Sequence, residues 1–278
     1  MRLCYLHIHP VPRPVFREVV RLLRERAVEV DLVNLDAGVT DLCELKVEYD
    51  LYVLKSSSEI ALSVAGALNA LGAPILNPYP TAVTCRDKIM ASRLLEEAGV
   101  PAPPSYVASH PAQLEHLLEE GPLVVKPYRG SHGEGVRIVR RPSEFPEWEV
   151  DGDGPFYAQR YFEPEGRDHK LYRIGDEVFG VERVWPARTF EEKLGRPLEV
   201  SSELRGIAFR CGSALGVSLL GFDVVFNEGR PYVVDISSFP GFTGVPNGPE
   251  LIADYIELAA ERAMRGEPLV ESPNGVVA

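Results

Sequence analysis

The chain has 278 residues, 45% of them apolar and 25% charged, which suits a globular enzyme built as one large unit or two to three small ones. Its net charge of −12 excludes a general affinity for nucleic-acid phosphates. No stretch approaches the roughly twenty apolar residues of a membrane-spanning helix, and the four cysteines, at 4, 43, 85 and 211, lack CxxC spacing and read as reduced thiols of a cytoplasmic protein.

Leu3–Ile8 reads as a strand, too short for a secretion signal and followed at once by Pro10, Pro12 and Pro14. Val15, Val19, Leu22 and Leu23 mark one face of a helix. Val28–Leu35 and Asp50–Lys55 read as strands, Ile60–Leu71 as a helix ended by Gly72, and Ile75–Pro78 as a short strand. This alternation predicts a small parallel sheet with ligands at the carboxyl ends of its strands. Those ends carry His7, His9 and Lys55, followed by Ser56, Ser57 and Ser58. Lys55, His7 and Ser56 are therefore candidates for binding an anionic substrate. The alternatives are that the serines cap the next helix and the histidines only precede a proline-rich loop.

Asp87–Gly99 forms a second amphipathic helix and Val100–Pro104 a linker. After a helical turn at Leu114–Glu119, Pro122–Pro127 is a buried strand whose Lys126 needs an anionic partner, because burying a lone ammonium is costly. Tyr128–Gly135 follows, and its glycines at 130, 133 and 135 let backbone N–H groups approach phosphate oxygens closely. Three glycines in six residues predict a mobile lid over 130–135. There is neither a GxxxxGK[ST] loop nor a GxGxxG opening a helix. Val136–Val139 and Phe156–Tyr161 are strands, and Lys170–Ile174 pairs with Glu177–Val184 around Gly175-Asp176, contributing the cations Lys170 and Arg183. Residues 186–203 are polar and irregular, a candidate lid. Leu204–Leu215 and Ala253–Met264 are helices.

Gly221–Phe226 and Pro231–Gly241 read as two apolar strands joined by Asn227-Glu228-Gly229, a three-residue hairpin loop. With Phe226 and Arg230 flanking that loop, Asp223 faces Val233 and lies diagonal to Asp235, roughly 7–8 Å away at the backbone. Val233, Asp235 and Ser237 then share the face of Asp223. Two carboxylates so close repel unless a cation sits between them, and hard oxygen ligands favour Mg²⁺. The alternative is a solvated strand pair whose acids face water.

This order of parts resembles the ATP-grasp superfamily over nearly the whole chain. The resemblance implies an α/β protein in which two α+β subdomains grip ATP behind an N-terminal Rossmann-like domain. The implied units are 1–86, 87–157 and 158–278. Asn77-Pro78 through Arg86-Asp87-Lys88 resembles the entry to the nucleotide region of RimK-type ligases, with Lys88 near the phosphates. By the same resemblance Lys126 and Lys170 meet the nucleotide, Gly130, Ser131 and Gly133 belong to the loop over its phosphates, and Gln159, Arg160, Tyr161 and Phe162 form the adenine hinge. Asp223, Asp235 and Ser237 fall on metal-ligand positions, although asparagine usually stands where Ser237 does. The catalytic candidates are Arg183, Lys170 and His132. Gly221-Phe222-Asp223 and Asp235 through Phe242 are similar to the inositol-trisphosphate kinases. The resemblance thus implies ATP with one or two Mg²⁺ ions and an anionic partner substrate. Its leading expectation is a carboxylate–amine ligase working through an acyl phosphate. The alternatives are a kinase acting on a polyol hydroxyl and a non-catalytic ATP-binding module.

Overall fold

The computed structural model describes residues 1–7, 14–56, 58–130, 135–145, 155–164, 167–184, 189, 192 and 194–269. Strands β1 (Arg2–His7), β2 (Glu29–Asn34), β3 (Leu51–Leu54) and β4 (Ile75–Leu76) form a parallel sheet in the order β2-β1-β3-β4. Alternation along β1 divides its apolar run between two cores. Leu3 and Tyr5 pack with α1 (Pro14–Glu25), while Cys4 and Leu6 pack with α2 (Glu59–Ala70). A strand buried on both faces reads as a continuous apolar run, which is why it was legible.

The second sheet is antiparallel, in the order β5-β8-β6-β7, with β5 (Ser105–Ala108), β6 (Leu123–Pro127), β7 (Arg137–Val139) and β8 (Phe156–Arg160). The third is also antiparallel, in the order β11-β10-β9-β12-β13, with β9 (Arg167–Ile174), β10 (Glu177–Val184), β11 (Arg196–Leu198), β12 (Leu219–Asn227) and β13 (Arg230–Ser238). One face of this third sheet carries Leu171, Leu220, Phe222, Val224 and Ile236 into a core with α3 (Tyr79–Arg86), α4 (Lys88–Glu97) and α5 (Ser202–Leu215). On the opposite face Tyr172, Ile174 and Leu219 share a core with β1, α1, Phe239, Phe242 and the last helix, α6 (Gly248–Met264). Burying each of Phe16, Phe239 and Phe242 contributes about 1.5–3 kcal/mol, so this shared core holds the first sheet firmly against the third. Asn77 Nδ2 donates to Leu219 O at 2.6 Å and Thr81 Oγ1 to Leu215 O at 2.7 Å, fastening the same seam.

Several elements differ from the sequence expectations. Helix α3 begins beside Pro80, whose missing N–H costs nothing in a first turn. Strand β5 follows the Val100–Pro104 linker directly, and β11 lies inside the stretch read as irregular. Both are short edge strands that bury too little to show a pattern. Strand β8 pairs with β5 and β6 through residue 160, so the second sheet runs past the boundary at 157. Helix α4 packs its Ala91 and Leu95 on the third sheet rather than the second. Among the described residues, no helix is long and apolar enough to cross a membrane.

The cysteines give a direct check on this packing. Burial pushes the Cys4, Cys85 and Cys211 thiols up to about 12, whereas Cys43 is exposed. A thiol whose folded pKa exceeds its unfolded value of about 8.5 contributes stability that is complete below that value and lost as pH rises towards 12. A thiol reagent at pH 8 is expected to modify Cys43 alone in the native protein, and stability should fall above about pH 9. Two or more fast-reacting thiols would contradict the packing described.

Candidate active site

The acidic hairpin departs from its expected register in two places, and the second shift restores the parity that the first would have broken. Asn227 pairs with Arg230, so the turn has two residues, Glu228 and Gly229, with φ of 52° and 73°. Two successive positive φ angles match the twist of a tight hairpin. That turn alone would face Asp223 with Val234 and send Asp235 to the other face. A β-bulge between Asp223 and Val224 leaves Val234 as the extra residue and sets Asp223 directly opposite Asp235. The two carboxylates are therefore cross-strand partners, not the diagonal neighbours expected, on backbones about 4.5–5.5 Å apart.

Strands β9 and β10 bring two cations and a third acid to this face. Lys170 pairs across the ladder with Asp223, and Asp168 with Arg183. Lys170 Nζ lies 2.9 Å from Asp223 Oδ2, and Arg183 Nη2 lies 3.1 Å from Asp223 Oδ1 while also bonding Asp168 Oδ2. Burial acts against the Lys170 ammonium, but the charge and hydrogen bond of Asp223 outweigh it and its pKa is raised. Burial, and then the charge of Asp223, pushes the Asp168 carboxyl up, while Arg183 and Lys170 hold it down. Asp168 was missed because the strand was read as starting at Lys170. Starting it at Arg167 places residues 168 and 170 on one face by simple alternation.

Lys126 reaches the hairpin from the second sheet. Its Nζ donates to Gln159 Oε1 at 2.6 Å and to the carbonyl of Val234, the bulged residue, at 2.8 Å. Burial pushes its pKa down, opposed by the charge of Asp235. Gln159 Nε2 donates to Ser105 Oγ at 3.2 Å, and that hydroxyl lies 3.0 Å from Tyr157 OH. Tyr157 and Gln159 form one wall of a cleft whose other sides are Lys88, Ala91 and Leu95 of α4 and residues 233–236 of β13. At its mouth Lys88 Nζ donates to Gly130 O at 3.0 Å. Phe162 stacks edge-on against Tyr232 with ring centroids 4.7 Å apart.

Other candidates are engaged elsewhere. The Arg160 side chain bonds Leu117 O, Gly121 O and Glu120, and its amide donates to Pro104 O. The Tyr161 amide donates to Pro122 O, so neither residue turns its amide to the cleft. Ser56 joins the cap of α2: its Oγ lies 3.2 Å from Ser58 Oγ, and Ser58 accepts from Ala61 N. That is the capping alternative, and its reason is the unpaired first-turn amides of the helix. His7 is buried at 6% exposure with its ring 5.7 Å from Tyr5. Lys55 Nζ sits 5.0 Å from the Phe16 ring and 5.7 Å from that of Phe239, which directly follows the acidic strand. Ser131, His132, Gly133 and His9 lie outside the described residues, as do parts of both expected lids.

The donor set fits Mg²⁺. Asp223 and Asp235 are hard oxygen ligands held opposite each other by a rigid ladder, with the Ser237 hydroxyl two residues along the same face. Among the described residues no ion pair holds Asp235.

A family profile described as the RimK-like ATP-grasp domain matches residues 85–259. The α-aminoadipate–LysW ligase LysX of Saccharolobus solfataricus is 27% identical over 201 residues, covering 67% of this chain and 73% of that protein. The glutamate–LysW ligase ArgX of Sulfolobus acidocaldarius is 26% identical over 263 residues, 87% of this chain and 90% of its own. The structure of the ATP-grasp ligase PsnB complexed with a minimal precursor, Mg and ADP matches 92% of this chain and 96% of that one, with a TM-score of 0.66 at 17% identity. ATP-grasp ligases use ATP with Mg. A metal- and phosphate-binding hairpin would serve a kinase and a ligase alike, so the motif does not choose between the two reactions; the domain match does. That match spans more than half of the chain, over the strands and helices that frame the cleft, and it makes the chain a member of the RimK-like ATP-grasp family and an ATP-dependent carboxylate–amine ligase.

Proposed function

We propose that this ligase binds Mg-ATP between its second sheet and the β12–β13 hairpin and activates an amino-acid or peptide carboxylate at the seam with the first sheet. The observation that carries the reading is that Lys126, Lys170 and Arg183 all reach the β12–β13 hairpin on which Asp223 and Asp235 stand opposite each other. Asp223, Asp235 and Ser237 would hold the metal, which supplies charge neutralisation at the phosphates. Lys126 and Lys170 meet the phosphate oxygens. A substrate carboxylate oxygen displaces ADP from the γ-phosphoryl group and forms an acyl phosphate. An amine then attacks the acyl carbon, and inorganic phosphate leaves as the amide forms. Arg183 neutralises the oxygens that gain charge, and the protein works by positioning rather than by covalent participation.

An amino-acid acceptor is supported by the curated relatives, whose names specify glutamate and α-aminoadipate as what they join to LysW. The test is ADP release with each substrate withheld in turn. ADP formed only when a carboxylate and an amine are both present supports the reading, and ADP formed with a phosphorylated polyol overturns it.

Lys55 is the group proposed to meet the acceptor anion, because it lies where the first sheet abuts the end of the acidic strand. Lys55→Ala should raise the acceptor KM about tenfold or more, the size of a charge-assisted hydrogen bond, and leave the KM for ATP unchanged. Equal effects on both constants, or none on either, would remove Lys55 from the site.

A further inference from the structure

Three carboxylates and two cations share one face of the third sheet. Asp168 and Lys170 stand on β9, Arg183 on β10, Asp223 on β12 and Asp235 on β13. All but Asp235 are linked in a chain running Asp168–Arg183–Asp223–Lys170, with side chains between 11% and 22% exposed. In that chain both oxygens of Asp223 are taken, Oδ2 by Lys170 and Oδ1 by Arg183. A metal that binds Asp223 adds positive charge beside those cations and competes with them for the lone pairs of the carboxylate.

Lys170 can turn to a phosphate that arrives with the metal. Arg183 has a different recourse. Its Nη2 already bonds Asp168 as well as Asp223, and its Nε is buried with no hydrogen-bond partner among the described residues. Asp168 lies directly across the ladder from Arg183 and diagonal to Asp223. It can therefore keep the guanidinium on this face after Asp223 has turned away. Without that second anchor, the ion pairs that hold Arg183 among the described residues all pass through Asp223, in competition with the metal. Leaving a buried guanidinium unpaired is costly, so the competition would weaken metal binding.

We propose that Asp168 is a positioning residue of the ligase: it retains Arg183 on the cleft face while Asp223 turns to the metal, and so keeps Arg183 from competing for Asp223. This rests on the Mg-ATP site proposed above.

The test is calorimetric titration of Mg²⁺ into the full-length protein saturated with ADP, which reads binding without turnover. Asp168→Asn, nearly isosteric but uncharged, should weaken Mg²⁺ by about tenfold, a typical coupling between neighbouring sites. Asp168→Glu, which keeps the charge, should weaken it by only about threefold, and it serves as the test if the asparagine variant does not fold. Adding Arg183→Gln to Asp168→Asn should restore affinity towards that of the unmodified protein, because the competitor is gone. A residue that merely stabilises the fold predicts no such recovery. Unchanged Mg²⁺ affinity in Asp168→Asn, or a double variant as weak as the single one, would overturn the proposal. An unmodified chain that takes up no Mg²⁺ with ADP overturns the proposed function itself, and that is seen before any variant is made.

Discussion

Replacing Asp235 with alanine is expected to reduce turnover by about a thousandfold or more, the several kcal/mol a metal contributes to stabilising charge in the transition state. Asp223, its cross-strand partner, is already paired with Lys170 and Arg183 and cannot by itself hold a divalent cation beside the phosphates. The fold should survive with the thermal midpoint little changed, because relief of the repulsion with Asp223 is offset by loss of the charge that opposes burial of the Lys126 ammonium. Like charges placed directly across a ladder destabilise it, and removing one relieves the repulsion. Loss of activity with a little-changed midpoint is the expected pair of results from a rate assay and a thermal melt. Turnover above a tenth of the original would remove Asp235 from the metal site, and a midpoint lowered by many degrees would make it a structural residue instead.

The second large effect concerns stability and sets two glycines of α5 against each other. Helix propensity alone favours alanine over glycine by about 1 kcal/mol at either position. At Gly206 a new Cβ would find only the flexible end of Arg210, at 3.5 Å, so Gly206→Ala should gain about that amount. At Gly212 a Cβ would lie 2.1 Å from Arg173 Nη1 and 2.6 Å from the carbonyl oxygen of Val217. Arg173 has little freedom to move aside. It is 6% exposed, its guanidinium lies 4.3 Å from the Phe209 ring centroid, and its Nε donates to Gly175 O at 2.8 Å. Overpacking of this kind costs about 1–3 kcal/mol and more where backbone must shift, so packing outweighs propensity and Gly212→Ala should destabilise. Denaturant unfolding of the two variants reads the difference directly. Equal shifts of the same sign would mean that α5 does not lie against β9 as described.

The sequence by itself determined the parts of this protein that depend on neighbours a few residues away. The central strands of the first sheet were legible because burial on two faces leaves continuous apolar runs, as in Leu3–Leu6 and Leu51–Leu54. Lys126 stood out because an ammonium at the end of an apolar strand needs a partner, and the hairpin stood out because a turn separates two apolar runs. The order of lysine strand, glycine loop and acidic hairpin was enough to suggest the family. What the tertiary structure decided was register and partnership. Whether Asp223 faces Val233 or Asp235 depends on the two-residue turn and on the bulge at Val234, each of which moves side chains to the opposite face by a single residue. Strand β11 exists because β10 offers it an edge, and Asp168 belongs with Arg183 because two strands pair in one register. Hydrogen-bond ladders are made between segments distant in sequence, and a local pattern of apolar and polar residues carries no record of which rung meets which.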